Sequence, residues 1–514
     1  MWVNYKIFLF IFIFLFLNLV IYIEVVPLFH EEPRRALIAQ EMLLSKNFVK
    51  PTVMGEPYFK KPPLHNWLIA STSLKDMVVS NFNARLPSIF AFVLLGLLLL
   101  SLPIDRQTAI KASLFALSSY VILFSYANKA EPDMLFTFLI FASYYFYIIK
   151  PKNTLYVIMS SLFMGASILT KGISPLLFYP PIVFYIAFSA KFNHHLTNKT
   201  LRKQDLRDSK KREFQGLLLH LFLSLIPPLV WLLILSFQIN MYDFFKTASL
   251  EIFHRGQGDL KVYVYHLISY PFRIIAATLP FSLVLFFAFK KNSEPDRFYL
   301  SAVYIFIWIF LLFLLSPAGC GRYFMPAIPF FAIIAAYHIN GEKMFDINIR
   351  RILLFIFSIA FIVAIPVYLL KGFFIQVVIF MVALAFLYYY FKKPPQDVIK
   401  ETLILLMIFV IGYFHGYYFY KSEKPYKYDK ITEIDKLKEE KSIPVFFDKS
   451  LKYNLKLALY LERKMKKIVF AGNNSIYKDY YYFTDNQVYP CKNITTLDIP
   501  DKKNKYIYIY LCSK

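Results

Sequence analysis

The chain has only three cysteines in 514 residues, and their spacing matches no metal-binding motif. That removes a cysteine-ligated metal centre. No internal repeat is visible, which excludes a solenoid. The N-terminal apolar run has no small-residue cleavage site and is too long for a signal peptide, so it reads as a retained first helix. Acidic residues are scarce: 33 Asp and Glu face 58 Lys and Arg, a net charge of +25. On a soluble protein this excess would suggest nucleic acid. Here much of it lies between apolar runs, where it orients helices and meets anionic lipid, so no nucleic-acid partner is expected.

What is present in excess is apolar sequence. Hydrophobic residues make up 58% of the chain and aromatics 19%, more than a soluble domain normally carries. Stretches such as Ile7–Val26 and Ile352–Leu370 approach the ~20 residues that cross a bilayer. Hydropathy places about thirteen spans, near 7–26, 84–103, 108–127, 133–150, 154–170, 174–190, 216–239, 266–289, 298–316, 323–340, 352–370, 373–391 and 401–420. Segment 66–80 is apolar but short and reads as an interfacial helix. The expected fold class is an all-α polytopic membrane bundle with a small C-terminal α/β domain. Residues 1–420 form the membrane domain, with a first extramembrane loop at 27–83, and 421–514 form the tail.

Basic residues set the orientation. Lys191–Arg212, Lys290–Arg297, Arg350-Arg351 and Lys392-Lys393 fall in loops of one parity, taken as cytoplasmic. The tail then lies outside. In it Pro444–Phe447, Lys467–Phe470 and Tyr506–Leu511 read as strands and Leu455–Met465 as a helix. Cys491 and Cys512 could pair there in an oxidising compartment, or remain buried thiols.

The first loop breaks the charge rule. It holds His30-Glu31-Glu32-Pro33-Arg34-Arg35-Ala36 and, later, Tyr58-Phe59-Lys60-Lys61-Pro62-Pro63-Leu64. Charge beside a bilayer is costly and marks function. Parity brings Lys129, Glu131 and Asp133, then Lys171-Gly172, then Glu251, His254, Arg255 and Asp259, then Arg322-Tyr323, to the same side. Glu31 can accept a proton from an acceptor hydroxyl, or orient a neutral amine or a metal-bound water. Arg34, Lys61, Lys171 and Arg322 can hold a phosphate. Pro62 and Pro63 stiffen the turn that aims Lys61. Bland readings compete: Arg34 and Arg35 would also suit lipid headgroups, Lys129 a snorkelling helix end, and Arg85-Leu86-Pro87 a helix entry. Glu251 and His254, at i and i+3, are weak candidates for a divalent metal.

These motifs resemble the first periplasmic loop of family 39 glycosyltransferases, of the GT-C superfamily. Lipid A aminoarabinose transferases are the nearer branch, and dolichyl-phosphate-mannose protein mannosyltransferases the more distant. The family pattern is Asp-Glu-x-Arg-Tyr-Ala, then Gly-x-x-Tyr-Phe-Glu-Lys-Pro-Pro. Glu131-Pro132-Asp133-Met134, Leu169-Thr170-Lys171-Gly172 and Arg322-Tyr323-Phe324-Met325-Pro326 resemble its later motifs. In this chain Glu31 stands for the usual Asp, Arg35 for Tyr and Lys60 for Glu. The resemblance implies an inverting transfer of one sugar from a polyprenyl-phosphate donor to lipid A, another envelope glycolipid or glycan, or protein. It implies a bacterial inner-membrane protein with active site and C-terminus in the periplasm. Glu31, Glu32 and Asp133 would be catalytic; Arg34, Tyr58, Lys61, Glu131, Lys171, Arg322 and Tyr323 would bind substrate. The alternatives are a lipid or glycan flippase, which would place its charges near the midplane of repeated, broken helices, and an O-antigen polymerase or ligase, which would place them in a later loop.

Overall fold

The computed structural model describes residues 26–196, 203–253, 260–279, 296–316 and 321–338, most of 443–513, and scattered positions elsewhere. The expected spans at 352–370, 373–391 and 401–420, and the expected domain boundary at 420, lie outside the described residues.

The first loop opens with helix α1 (Glu32–Ser45), a two-stranded hairpin of β1 (Thr52–Val53) and β2 (Glu56–Pro57), and helix α2 (Leu64–Thr72). The bundle follows: α3 (Asn81–Leu100), α4 (Arg106–Ser118), α5 (Pro132–Ile149), α6 (Thr154–Lys171), α7 (Tyr179–Leu196), α8 (Lys203–Ser236), α9 (Met241–Phe253), α10 (Leu260–Ala277), α11 (Arg297–Leu314), the short α12 (Gly321–Phe324) and α13 (Ile328–His338). Among the described residues, five helices are long and apolar enough to cross a membrane: α3, α5, α6, the Lys211–Ser236 part of α8, and α11. Local sequence starts them. Ser80 accepts from the Asn83 N–H, Asp105 from Thr108, Asn153 from Leu155 and Tyr156, and Asp296 from Tyr299. Each cap satisfies donors that the first helical turn leaves without partners.

Two elements differ from the hydropathy reading. The span expected at 108–127 is interrupted: α4 ends at Ser118, and a π-helical turn, Val121–Tyr126, follows. Ser118 and Ser119 donate their hydroxyls to the Phe115 and Ala116 carbonyls, and the Tyr120 N–H leaves the helix for the Leu279 carbonyl at 2.8 Å. Serine side chains compete in this way with the backbone ladder. The basic segment expected as a loop before residue 216 belongs instead to α8, which runs 34 residues through it and on through Pro227 and Pro228.

The bundle packs mainly α5 on α6, α6 on α8, and α4 on α13. Where α6 crosses α8, a Cβ on Gly165 would sit 2.9 Å from the Ser224 carbonyl oxygen and 3.0 Å from Pro227, so only glycine permits the approach. Beside that crossing, His220 bridges three helices, meeting the Ser160 hydroxyl at 2.8 Å and the Tyr179 hydroxyl at 2.9 Å. Such polar contacts stand in for the hydrophobic drive that lipid does not provide.

The tail builds β3 (Val445–Phe447), α14 (Leu455–Met465), β4 (Val469–Ala471), β5 (Asp479–Thr484), β6 (Lys492–Asp498) and β7 (Tyr506–Ser513). The five strands β3 to β7 form one sheet in the order β4-β3-β5-β7-β6. Strand β3 lies parallel to both its neighbours, and β7 antiparallel to β5 and β6. Strands β5 and β6 escape hydropathy because tyrosine, threonine and charged residues carry them. Cys491 and Cys512 are joined in a disulfide. The sheet packs on the first loop: Leu37, Leu43, Ile69, Val445, Leu457, Phe483 and Ile509 share one buried cluster. The Ala471 N–H donates to the Met54 carbonyl at 3.1 Å, and Arg463 donates to the Asn81 side chain at 3.1 Å.

Candidate active site

Helices α5 and α6 form an antiparallel hairpin of 18 residues each, so the start of one meets the end of the other. Asp133 in the first turn of α5 and Lys171 in the last turn of α6 therefore lie together, with Nζ 2.6 Å from Oδ1 and both side chains at most 8% exposed. Each charge suits its helix end, the carboxylate at the N-terminus and the ammonium at the C-terminus. Gly172 ends α6 at φ +68, a conformation that favours glycine. The Lys171 ammonium also stands 4.7 Å from the centre of the Phe136 ring.

The first loop supplies the facing wall. Pro33 sits in the opening turn of α1 with Glu31 just before it, and Glu31 and Arg34 form an ion pair one turn apart. Arg35 donates from Nη2 to the Tyr58 hydroxyl at 3.2 Å. The Tyr58 N–H is tied to the Pro51 carbonyl at 2.8 Å. Lys60 and Lys61 precede Pro62-Pro63, and Pro63 caps α2. A third wall comes from α12, where the Arg322 guanidinium lies 5.2 Å from the centre of the Tyr323 ring.

These walls enclose one cavity of about 300 Å³, lined by Glu31, Arg34, Arg35, Tyr58, Lys60, Lys61, Glu131, Pro132, Asp133, Lys171, Arg322 and Tyr323. Its size is at the low end of the ~300–1,000 Å³ typical of small-ligand pockets. Pro132 starts α5 and leaves Glu131 in extended backbone with its carboxyl engaged in no cap. Burial, and then the neighbouring Asp133 carboxylate, push Glu131 up to about 7. Close carboxylates in a poorly hydrated site disfavour a second negative charge.

Nine of the ten residues expected for the site line this cavity. Glu32 does not. It is fully buried, and its carboxylate takes the Arg85 guanidinium at 2.9 and 3.0 Å, the Ala130 N–H at 2.9 Å and the Phe29 N–H at 3.0 Å. Arg85 also donates to the Ile23, Val26 and Pro27 carbonyls. Burial alone would raise the Glu32 carboxyl, but Arg85 and the two backbone donors hold it below its ordinary value. Adjacent residues on a helix point about 100° apart, so Glu31 faces the cavity while Glu32 faces the protein. The expected catalytic residue Glu32 therefore lies outside the cavity in a buried ion pair, and Arg85 does more than mark a helix entry.

Lys129 lies outside the lining, with its ammonium 5.2 Å from the centre of the Tyr126 ring. Glu251 belongs to α9 and does not line the cavity, and His254, Arg255 and Asp259 lie outside the described residues. Among the described residues no three His, Cys, Asp or Glu side chains gather as a metal site. The lining adds two cations to the expected set, Arg35 and Lys60. Their signal was present in the doubled Arg34-Arg35 and Lys60-Lys61 pairs.

The family model described as dolichyl-phosphate-mannose-protein mannosyltransferase matches residues 60–202. Two proteins of Aquifex aeolicus (strain VF5), both described as uncharacterized, match at 27% identity over 322 residues and 22% over 310. Each match covers 60% of this chain, and they cover 58% and 67% of those proteins. Two crystal structures of ArnT from Cupriavidus metallidurans share the architecture. The one bound to undecaprenyl phosphate has a TM-score of 0.70 at 14% identity, covering 98% of this chain and 97% of its own. The apo one has a TM-score of 0.67 at 16% identity, covering 96% of each. The chain thus shares the fold of ArnT, with helices long and apolar enough to cross a membrane.

Proposed function

We propose that the protein is an inverting glycosyltransferase of the bacterial inner membrane, moving one sugar from a polyprenyl-phosphate donor to an envelope acceptor. The observation that carries this reading is the meeting of Lys61, Lys171 and Arg322 with Glu31 and Asp133 in one small cavity at the end of the bundle. ArnT of the same fold has been crystallised with undecaprenyl phosphate. The periplasmic placement of the site and tail belongs to the same proposal.

The chemistry follows from charge. The bond between the sugar's anomeric carbon and the phosphate oxygen breaks, and its electrons leave on the polyprenyl phosphate. Lys61, Lys171 and Arg322 stabilise that leaving charge, the kind of preorganised electrostatics that contributes most in a poorly hydrated pocket. Asp133 holds the Lys171 ammonium in place by their 2.6 Å contact. The acceptor oxygen attacks the opposite face of the anomeric carbon. If that oxygen is a hydroxyl, its proton passes to Glu31, which Arg34 orients. If it is already anionic, as on a lipid phosphate, Glu31 positions it. Tyr58 and Tyr323 offer aromatic faces to the sugar ring.

The test is mass spectrometry of lipid A and envelope glycans from cells carrying the wild-type protein, the Glu31→Gln variant or none. The reading expects a sugar mass that depends on the wild-type chain and falls ~100-fold or more in the variant, the minimum usual for loss of a general base. Full modification in Glu31→Gln at equal expression would overturn the assignment. The same comparison with a purified sample, with and without EDTA, decides the divalent-metal expectation.

A further inference from the structure

Arg35 is buried, at 5% exposure, yet none of the ion pairs among the described residues includes it. Its Nε is buried without a hydrogen-bond partner. Its Nη2 has only the neutral Tyr58 hydroxyl, and the guanidinium lies 5.4 Å from the centre of the Tyr58 ring. Arg85, equally buried, shows the usual solution, a carboxylate and three carbonyls around the guanidinium. Arginine does not shed its proton to escape such a site. Nor does His65 help. Burial, then the Arg35 charge, push its imidazole down to about 3, and both its ring nitrogens are buried without partners. Among the described residues no carboxylate forms an ion pair with Arg35, and the group lines the cavity.

The charges of the lining point the same way. Six cations meet three carboxylates in the lining, an excess of three positive charges when all are ionised. A sugar phosphodiester brings one negative charge. At least two more are needed to balance the cavity.

We propose that Arg35, Lys60 and the Tyr58 hydroxyl form a second anion subsite, which takes a carboxylate or phosphate group other than the donor's phosphate. The proposal rests on the glycosyl-transfer reading and deepens it: one of the two substrates carries this extra charge. A sugar carboxylate and an acceptor phosphate share the chemistry.

The experiment uses the full-length protein in detergent, saturated with undecaprenyl phosphate, and reads thermal unfolding as inorganic phosphate is added against chloride of equal ionic strength. Wild type is expected to gain further stability from phosphate. Lys60→Glu and Arg35→Met are expected to shift the phosphate midpoint at least tenfold, with the undecaprenyl phosphate midpoint moving less than threefold. Lys75→Glu, the same charge change on an exposed residue away from the cavity, is expected to leave both midpoints in place. If Arg35→Met fails to fold, Lys60→Glu decides alone. No phosphate response beyond chloride, or an undiminished one in Lys60→Glu, overturns the proposal.

Transfer assays then find the source. A rise in donor KM confined to a uronic-acid donor over its neutral counterpart places the anion on the sugar. A rise in acceptor KM confined to phosphorylated over dephosphorylated lipid A places it on the acceptor. Equal effects of Lys60→Glu on charged and neutral partners in both assays contradict the subsite. A protein that binds no undecaprenyl phosphate and transfers nothing would refute the glycosyl-transfer reading, while the phosphate response of Lys60→Glu would still be readable by itself.

Discussion

Neighbouring carboxylates in this protein have opposite surroundings: Glu31 lines the cavity, and Glu32 is turned into the protein. Glu32 is enclosed with Arg85 and makes no contact with the cavity. Removing one partner of such a pair leaves a buried charge uncompensated and costs about 3–5 kcal/mol. Glu32→Gln and Arg85→Met are therefore expected to lower thermal stability and membrane yield, a defect of folding rather than chemistry that unfolding in detergent would register. Glu131 behaves differently. Because burial and Asp133 push it up to about 7, it is protonated in mild acid and adds a negative charge to the cavity as pH rises. An anionic donor is then bound more weakly, so its KM is expected to rise about threefold to tenfold from pH 6 to 8. Glu131→Gln should flatten that rise, and an unchanged profile in the variant would remove Glu131 from the site's electrostatics. Residue types and spacings pointed in advance to Arg34, Lys61, Lys171 and Arg322, which meet in one cavity. They did not separate Glu31 from Glu32, because the direction of a side chain around α1 depends on what packs behind the helix.

At the scale of elements, the first loop and the tail meet beside two buried acids, each bonded within its own segment. Glu41 of α1 accepts from the Thr52 hydroxyl at 2.6 Å and the Gly55 N–H at 3.1 Å, and Glu462 of α14 accepts from the Val469 N–H at 3.0 Å. Burial pushes Glu41 up to about 7, and burial, then the Glu41 charge, push Glu462 well above the carboxylate range. Both values are raised on folding. Their contribution is therefore fully present below the ordinary carboxylate range and is lost as pH rises through about 7. Hydrogen exchange in α14 is expected to show weaker protection at pH 8 than at pH 5.5, after correction for intrinsic rates. Glu462→Gln keeps the acceptor for Val469 and should abolish most of the difference. A helix near Leu455–Met465 was legible in the sequence. The break after α4 was not, because it needs the Leu279 carbonyl, which is distant in sequence.

The whole molecule combines an apolar bundle, a charged cavity at one end of it and a sheet that packs over the loop bearing half the cavity. Hydropathy showed the bundle, since apolar runs of this length have few other uses. The packing of the tail on the first loop was hidden, because it joins segments some four hundred residues apart. Orientation is testable through the disulfide. In intact cells a membrane-impermeant maleimide is expected to leave Cys491 and Cys512 unlabelled until an impermeant reductant is added, and then to label both. Labelling that requires permeabilised cells would place the tail, and with it the cavity, on the cytoplasmic side.

Purified full-length protein, given a polyprenyl-phosphate-linked sugar and an envelope-lipid acceptor, offers the most direct measurement: mass-spectrometric counting of the polyprenyl phosphate released and the glycosylated acceptor formed. The account predicts equal amounts of the two, with rates at least ~100-fold lower in Glu31→Gln and a matching loss in Lys171→Met. Wild-type rates in Glu31→Gln, or donor lipid that crosses the bilayer with its sugar still attached, would contradict it.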